Sequence, residues 1–368
     1  MGVLRVMLAL FVVIDHSGAF PGLHLPGAVF AVKIFFVISG FYMTMILNKK
    51  YIGSGSYTLF ITNRFLRIFP IYWVVVSLTV GISFISFIVF NNWMRLTPYV
   101  AYNEFMNIKT LLFLGLTNIF LFGQDFVFFL GLNLERGAMF FSNNFVLTDP
   151  PLHGFLFLPQ AWTIGLELLF YLIAPLVVRK KIRVVVLLIT VSIIIRALIY
   201  FNLGMQHDPW TYRFFPNELA LFLFGAISYH IYLYIYKNPI QRIYNKLIFI
   251  MYFLILLSYN YLPNVELFFD IKSVLFYIFT GLSIPSIFIL TKSSTIDNRI
   301  GDLSYPVYIV HMLIIFVSWV LIAEFDLHIH KGIKGVIIMI LTLVISYILV
   351  KFVSDPVERL RQSRIKSV

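Results

Sequence analysis

VVVLLITVSIII at 184–195 and VIIMILTLVISYILV at 336–350 decide the fold. Neither run alternates polar with apolar side chains, as a transmembrane barrel strand does over roughly ten residues. Hydrocarbon leaves a backbone only two ways to satisfy its hydrogen bonds, helix or closed barrel, so these runs read as helices. The rest of the chain has the same character. It is 60% hydrophobic and 12% charged, where a soluble domain carries about 25% charge, and its mean hydropathy is +0.92.

Ten apolar runs approach the ~20 residues needed to cross a bilayer: roughly 3–20, 27–47, 70–90, 160–178, 184–201, 216–236, 247–262, 271–290, 303–322 and 333–352. With the N-terminus inside and the sides alternating, 7 of the 28 Lys and Arg fall outside (Arg95, Lys109, Arg136, Arg213, Lys272, Lys331, Lys334). Two, Lys33 and Arg196, fall within spans, and the remaining 19 fall inside. Cations concentrate on the cytoplasmic side of membrane proteins, so an N-in, C-in arrangement follows. The run 111–130 is apolar enough to cross, but a crossing there would turn RKKIR at 179–183 outward. Residues 108–130 therefore read as a re-entrant or interfacial element, inside a large external region at 91–159. The expected fold is all-α: a polytopic transmembrane bundle of about ten spanning helices, one membrane-embedded domain over 1–368. The first apolar run has no small-residue cleavage site after it and reads as a retained span.

The absence of cysteine excludes disulfides, thiolate metal sites and a cysteine nucleophile. The net charge of +12 fits the cytoplasmic loops of a membrane chain, and no nucleic acid is expected as a partner; the lipid bilayer is. HxH at 328–330 lacks a third ligand, and His24, His153, His207 and His230 lie in loops or near span ends, so no metal is expected. There is no glycine-rich phosphate loop and no G-x-S-x-G elbow.

Ionisable groups inside spans are costly and are functional candidates. The first span carries Arg5, Asp15 and His16. A histidine near neutral pKa can take a proton from a hydroxyl. Asp15 would orient it or raise its basicity, although neighbours at i and i+1 face different ways. The alternatives are a snorkelling Arg5 and a helix-end pair at the outer headgroups. Glu167, in AWTIGLELLFYL at 161–172, and His311, in SYPVYIVHML at 304–313, are either functional or members of structural polar networks. The inner loop after the second span reads RFLRIFP at 64–70; on a helix Arg64 and Arg67 would share a face, suited to a phosphate-bearing ligand, the alternatives being plain positive-inside topology or lipid headgroup contact.

In order along the chain, Arg5 and His16 (R-x10-H), FFVISGF at 35–41, the R-x-x-R pair Arg64 and Arg67, Trp162 and Glu167 in QAWTIGLELLFYLIAP, and LSYPVYIVH at 303–311 resemble the acyltransferase-3 family of membrane-bound O-acyltransferases. The tail DPVERLR at 355–361 is a looser match. Lys33 stands where many members have Asp, and no C-terminal hydrolase-like domain is expected. The resemblance implies an acyl-coenzyme A donor on the cytoplasmic side, usually acetyl-coenzyme A. The implied acceptor is a cell-surface or lipid-linked saccharide hydroxyl outside; the implied setting is a bacterial inner membrane, with polysaccharide assembly machinery as a partner. On that basis His16, Asp15 and Glu167 are the catalytic candidates. Arg64, Arg67 and Arg5 would hold the donor. Trp162, His311, Ser39 and Tyr305 would bind substrate or serve as structural polar groups. Direct transfer in a ternary complex is the expected route, with an acyl-histidine intermediate as its variant. The rival is a glycolipid or solute transporter or flippase, which would show repeat symmetry between its halves.

Overall fold

Each apolar run of the sequence becomes helix in the computed structural model, which describes residues 1–18, 20, 24–264 and 270–366. The first helices are α1 (Gly2–Ser17), α2 (Ala28–Lys49) and α3 (Ser56–Phe90), followed by two short ones, α4 (Thr97–Tyr102) and α5 (Ile108–Phe120). A two-stranded antiparallel hairpin follows, β1 (Leu130–Asn133) and β2 (Ala138–Phe141), in the register Leu130 to Phe141. The bundle then resumes with α6 (Trp162–Val177), α7 (Ile182–Ala197), α8 (Phe215–Lys237), α9 (Arg242–Ser258), α10 (Ile271–Thr291), α11 (Thr295–Asp302), α12 (Ser304–Glu324), α13 (Lys331–Leu349) and α14 (Asp355–Lys366).

Among the described residues, nine helices are long and apolar enough to cross a membrane. They match nine of the ten expected runs. The tenth, α1, has 16 residues, about 24 Å at 1.5 Å per residue, and is short for a ~30 Å hydrocarbon core. It lies within the bundle instead, with ten of its side chains buried against α2, α11, α12 and α13. Burial separates inner from outer helices: two thirds of the central window of α2 is buried but only 11% of that of α7. The exposed face of α7 is Leu187, Ile193 and Ile194, side chains that match lipid. Helices α2 and α8 approach through glycine: a Cβ on Gly40 would lie 1.8 Å from the Phe222 carbonyl oxygen, and one on Gly225 2.0 Å from that of Val37. Small residues of this kind let transmembrane backbones come close without a hydrophobic driving force.

Two helices outrun their apolar windows. The 35 residues of α3 extend about 52 Å, starting 14 positions before the run at 70–90. Arg64 and Arg67 thus sit on the same helix as the span, not in a loop before it. Nothing between Ser56 and Phe69 breaks a helix; hydropathy falls there only because cations appear. Likewise α13 continues through a π-helical turn at Val350–Ser354 into the polar α14.

With 13 residues, α5 reaches only about 20 Å and does not cross. Asn107 caps its start, accepting from the Thr110 N–H at 2.9 Å. Its far end meets the middle of α3, where the Tyr72 hydroxyl donates to Asn118 O and the Trp73 indole to Ile119 O. The Asn118 amide donates to Phe155 O and accepts from Phe157 N–H, and the Gln124 amide donates to Tyr72 and Thr117 O. Irregular backbone is tolerated at such depth only when protein satisfies it, and these buried amides do so.

Candidate active site

Arg5 and His16 are eleven residues apart, three helical turns plus about 20°, so they share one face of α1 about 16 Å apart. Ser304 and His311 are seven apart on α12 and also share a face. The two helices meet along these stripes. At one end the Arg5 guanidinium donates to Ser304 Oγ at 2.6 Å; at the other the rings of His16 and His311 lie 5.2 Å apart. His16 Nδ1 donates to Val12 O at 2.8 Å and His311 Nδ1 to Tyr308 O at 2.7 Å. Carbonyls only accept, which fixes both protons and leaves each Nε2 with a lone pair while the ring is neutral. His16 is exposed, whereas His311 is fully buried with Nε2 unpartnered.

From the Arg5 end a cavity of about 570 Å³ runs inward, within the range of small-molecule sites. Both ends of the described chain reach it, through Gly2 and Arg361. Its charged lining is five cations, Arg5, Lys50, Arg64, Arg67 and Arg361, against three acids, Glu167, Asp302 and Glu358. Among the described residues only Arg361 and Glu358 form an ion pair within this set, so the cavity lining carries excess positive charge. Arg64 is 5% exposed, its Nε sealed and unpartnered, its guanidinium 5.7 Å from the Phe60 ring and 5.9 Å from that of Tyr171. Midway along, Glu167 Oε1 accepts from Ser39 Oγ and from the Tyr171 hydroxyl, each at 2.5 Å. Tyr305 lines the same wall and braces α12 on α3 by donating to Ile68 O at 2.9 Å.

The deep end is closed by a hydrogen-bonded partition. Thr163 Oγ donates to the Tyr308 hydroxyl at 2.8 Å, which donates to Gln160 O at 3.0 Å, while the Gln160 amide donates to Ile309 O at 2.6 Å. Tyr308 faces the cavity on one side, and its ring lies 5.9 Å from that of His311 on the other. The histidines thus sit one turn beyond the cavity, outside its lining.

The expected residues divide accordingly. Arg5, Arg64, Arg67, Glu167, Ser39 and Tyr305 share the cavity, and His16 and His311 pair beyond it. Asp15 turns away from its neighbour: its carboxylate accepts from the Ala28 N–H at 3.0 Å, at the start of α2, where the helix dipole favours an anion. Glu167 is engaged with Ser39 and Tyr171, and no contact joins it to His16. Trp162 faces the far end, 4.6 Å from the Tyr212 ring and 4.2 Å from the Arg213 guanidinium, which Asp208 holds with two oxygens. Lys33 Nζ donates to Thr211 O at 3.4 Å, near the same corner. There His153 stacks on Phe128 at 5.0 Å. Burial, then the charges of Arg213 and Arg95, pushes its pKa down to about 4, so it stays neutral at physiological pH. Tyr171, Thr163 and Tyr308 lie outside the residues expected from sequence, and Arg361 enters only as the end of the loosely matching tail at 355–361. Tyr171 follows Glu167 by four residues and Tyr308 precedes His311 by three, spacings that mark a shared helical face.

A family model described as an acyltransferase domain matches residues 1–351. No curated protein and no solved structure matches significantly. With the match extending over nearly the entire chain and its spans folded as a helical bundle, this chain belongs to the acyltransferase-3 family and is a multi-pass membrane acyltransferase.

Proposed function

We propose that this acyltransferase is an O-acetyltransferase of the bacterial inner membrane. It moves an acetyl group from acetyl-coenzyme A to a hydroxyl of a cell-surface or lipid-linked saccharide. The observation that carries this reading is the polarity of the site: a cationic cavity at one end of the bundle, two histidines with free lone pairs at the other, and one thin partition between. The bias of Lys and Arg toward the cavity end supports its being cytoplasmic. There Arg64 and Arg67, assisted by Arg5, bind the donor phosphates, since forked guanidiniums match phosphate oxygens. The donor's arm runs along Tyr42, Ser39 and Glu167 toward Tyr308. At the far end His16 Nε2 takes the acceptor's hydroxyl proton as the oxygen attacks the thioester carbonyl. The carbon–sulfur bond breaks, and the imidazolium returns its proton to the leaving sulfur. A positioned base of this kind is worth about 10²–10⁴ in rate. Asp15, capping α2, holds the end of α1 and so the place of His16.

The test is incorporation of radiolabelled acetyl from acetyl-coenzyme A into surface glycan, at matched membrane levels of wild type, His16→Ala and Arg64→Ala/Arg67→Ala. Label with wild type and little with either variant is expected. An unlabelled wild type, with a glycan acetylated in its native cell, refutes the reading; near wild-type label with His16→Ala refutes the role of that residue.

A further inference from the structure

Helix α14 lies beyond the residues matched by the family, yet it supplies a wall of the cavity. The π-helical turn at Val350–Ser354 joins it to α13; such turns insert one residue and recur at functional sites. Arg364 fastens α14 to α3 by donating to Thr62 Oγ at 2.9 Å. One turn earlier Arg361 enters the cavity, only 4% exposed. Its Nη1 donates to Glu358 at 2.5 Å, and the other Glu358 oxygen accepts from the Gln362 amide at 2.5 Å. The Nε of Arg361 is sealed and unpartnered, as is that of Arg64, which lines the same cavity. A guanidinium held in one rotamer by a carboxylate that is itself clamped is preorganised. Arg64 and Arg67 line the same space with no ion pair among the described residues, and the five cations of the lining outnumber its three acids, so positive charge remains in excess around Arg361. An ordinary structural ion pair needs no such neighbours. Bringing a third arginine toward two like charges costs free energy that an anion between them would recover.

We infer that Arg361 is a third phosphate-binding arginine, holding a phosphate-bearing nucleotide donor of the coenzyme A type together with Arg64 and Arg67, and that α14 is a wall of the donor site. The inference rests on the donor reading above. Arg361 binds and does not take part in bond making, so its loss raises the donor KM and leaves kcat at saturating donor and the acceptor KM unchanged.

The experiment titrates coenzyme A into the purified full-length protein in detergent by calorimetry, with wild type, Arg361→Gln, Arg361→Lys and Ser363→Ala, an exposed position on the same helix. Arg361→Gln is expected to weaken binding about 10- to 100-fold, the range of a charged hydrogen bond. Arg361→Lys should fall between, since an ammonium keeps the charge but not the fork, and Ser363→Ala should bind as wild type. A monodisperse Arg361→Gln with the wild-type Kd overturns the inference and leaves the donor reading standing. If Arg361→Gln does not fold, Arg361→Lys decides: an unchanged Kd overturns the inference, and a several-fold loss supports it. A wild type that binds no coenzyme A overturns the donor reading, and this inference with it.

Discussion

Replacing Arg64 with methionine should stabilise the empty protein and weaken it toward its donor. Arg64 is 5% exposed, has no acid partner among the described residues, and has an unpartnered Nε. A fully buried unpaired charge costs several kcal/mol. The terminal nitrogens open on the cavity, which reduces this to about 2–3 kcal/mol on the same scale. The Phe60 and Tyr171 rings return roughly 1–2 kcal/mol by cation–π attraction. Methionine keeps the apolar stem and removes the charge, so the ligand-free variant should gain about 1 kcal/mol. Coenzyme A at a hundred times its wild-type Kd stabilises wild type by about 2.7 kcal/mol. Losing one charged contact, ~1.5–3 kcal/mol, leaves the variant only about 0.3–1.3 kcal/mol of that at the same concentration.

Thermal unfolding in detergent should therefore show a crossing. Arg64→Met melts above wild type without coenzyme A and below it with coenzyme A. A variant that melts lower in the absence of ligand, and is shifted by ligand as wild type is, would mean that Arg64 supports the fold and not a donor.

Tyr308→Phe removes the hydroxyl that joins Thr163 to Gln160 O. Free-thiol release from acetyl-coenzyme A without acceptor should rise several-fold as water reaches the thioester; unchanged release refutes the partition. Asp125, 9% exposed with Oδ1 unpartnered, is pushed up to about 6 by burial from its ordinary value of 3.8. The folded state thus favours the protonated form, and stability falls as pH rises from about 4 to 6, by at most ~3 kcal/mol at 1.36 kcal/mol per unit. Asp125→Asn should match wild type near pH 4, melt above it at pH 7, and lose that slope; parallel melting profiles would refute the assignment.

Apolar run length locates the spans because lipid punishes any other backbone, and the same cost makes Arg5, His16, Glu167 and His311 conspicuous. What sequence hides is of two kinds. Hydropathy marks where a helix meets lipid, not where it ends, so the turns of α3 before residue 70, which carry Arg64 and Arg67, read as loop. And contacts between residues far apart in sequence leave no local trace: Arg361 joins Arg64 across 297 positions, and nothing in VERLRQ distinguishes it from Arg359, which does not line the cavity. Asp15 is a subtler case. Beside His16 it invites pairing, yet successive positions diverge by about 100° on a helix, and the carboxylate goes to the start of α2.

The R-x10-H spacing acquires a physical meaning from this geometry. Eleven residues carry a single face of α1 from the cationic cavity to the histidine pair, so under the proposed function one rigid helix would fix the distance between the phosphate end of the donor and the base that acts on the acceptor. A helix is a better ruler than two loops, because reacting groups misplaced by an ångström lose much of their rate advantage. The same axis demands a seal. A thioester brought from one aqueous face to within reach of the other would be open to hydrolysis, and excluding water is a recognised function of closed sites. Tyr308 stands at that point. Its hydroxyl closes the cavity, and its backbone carbonyl holds the proton of His311 Nδ1. Any movement of this turn that opens the passage also disturbs the histidine behind it. Coupling of that kind would let arrival of the donor be felt at the acceptor side before the two substrates meet.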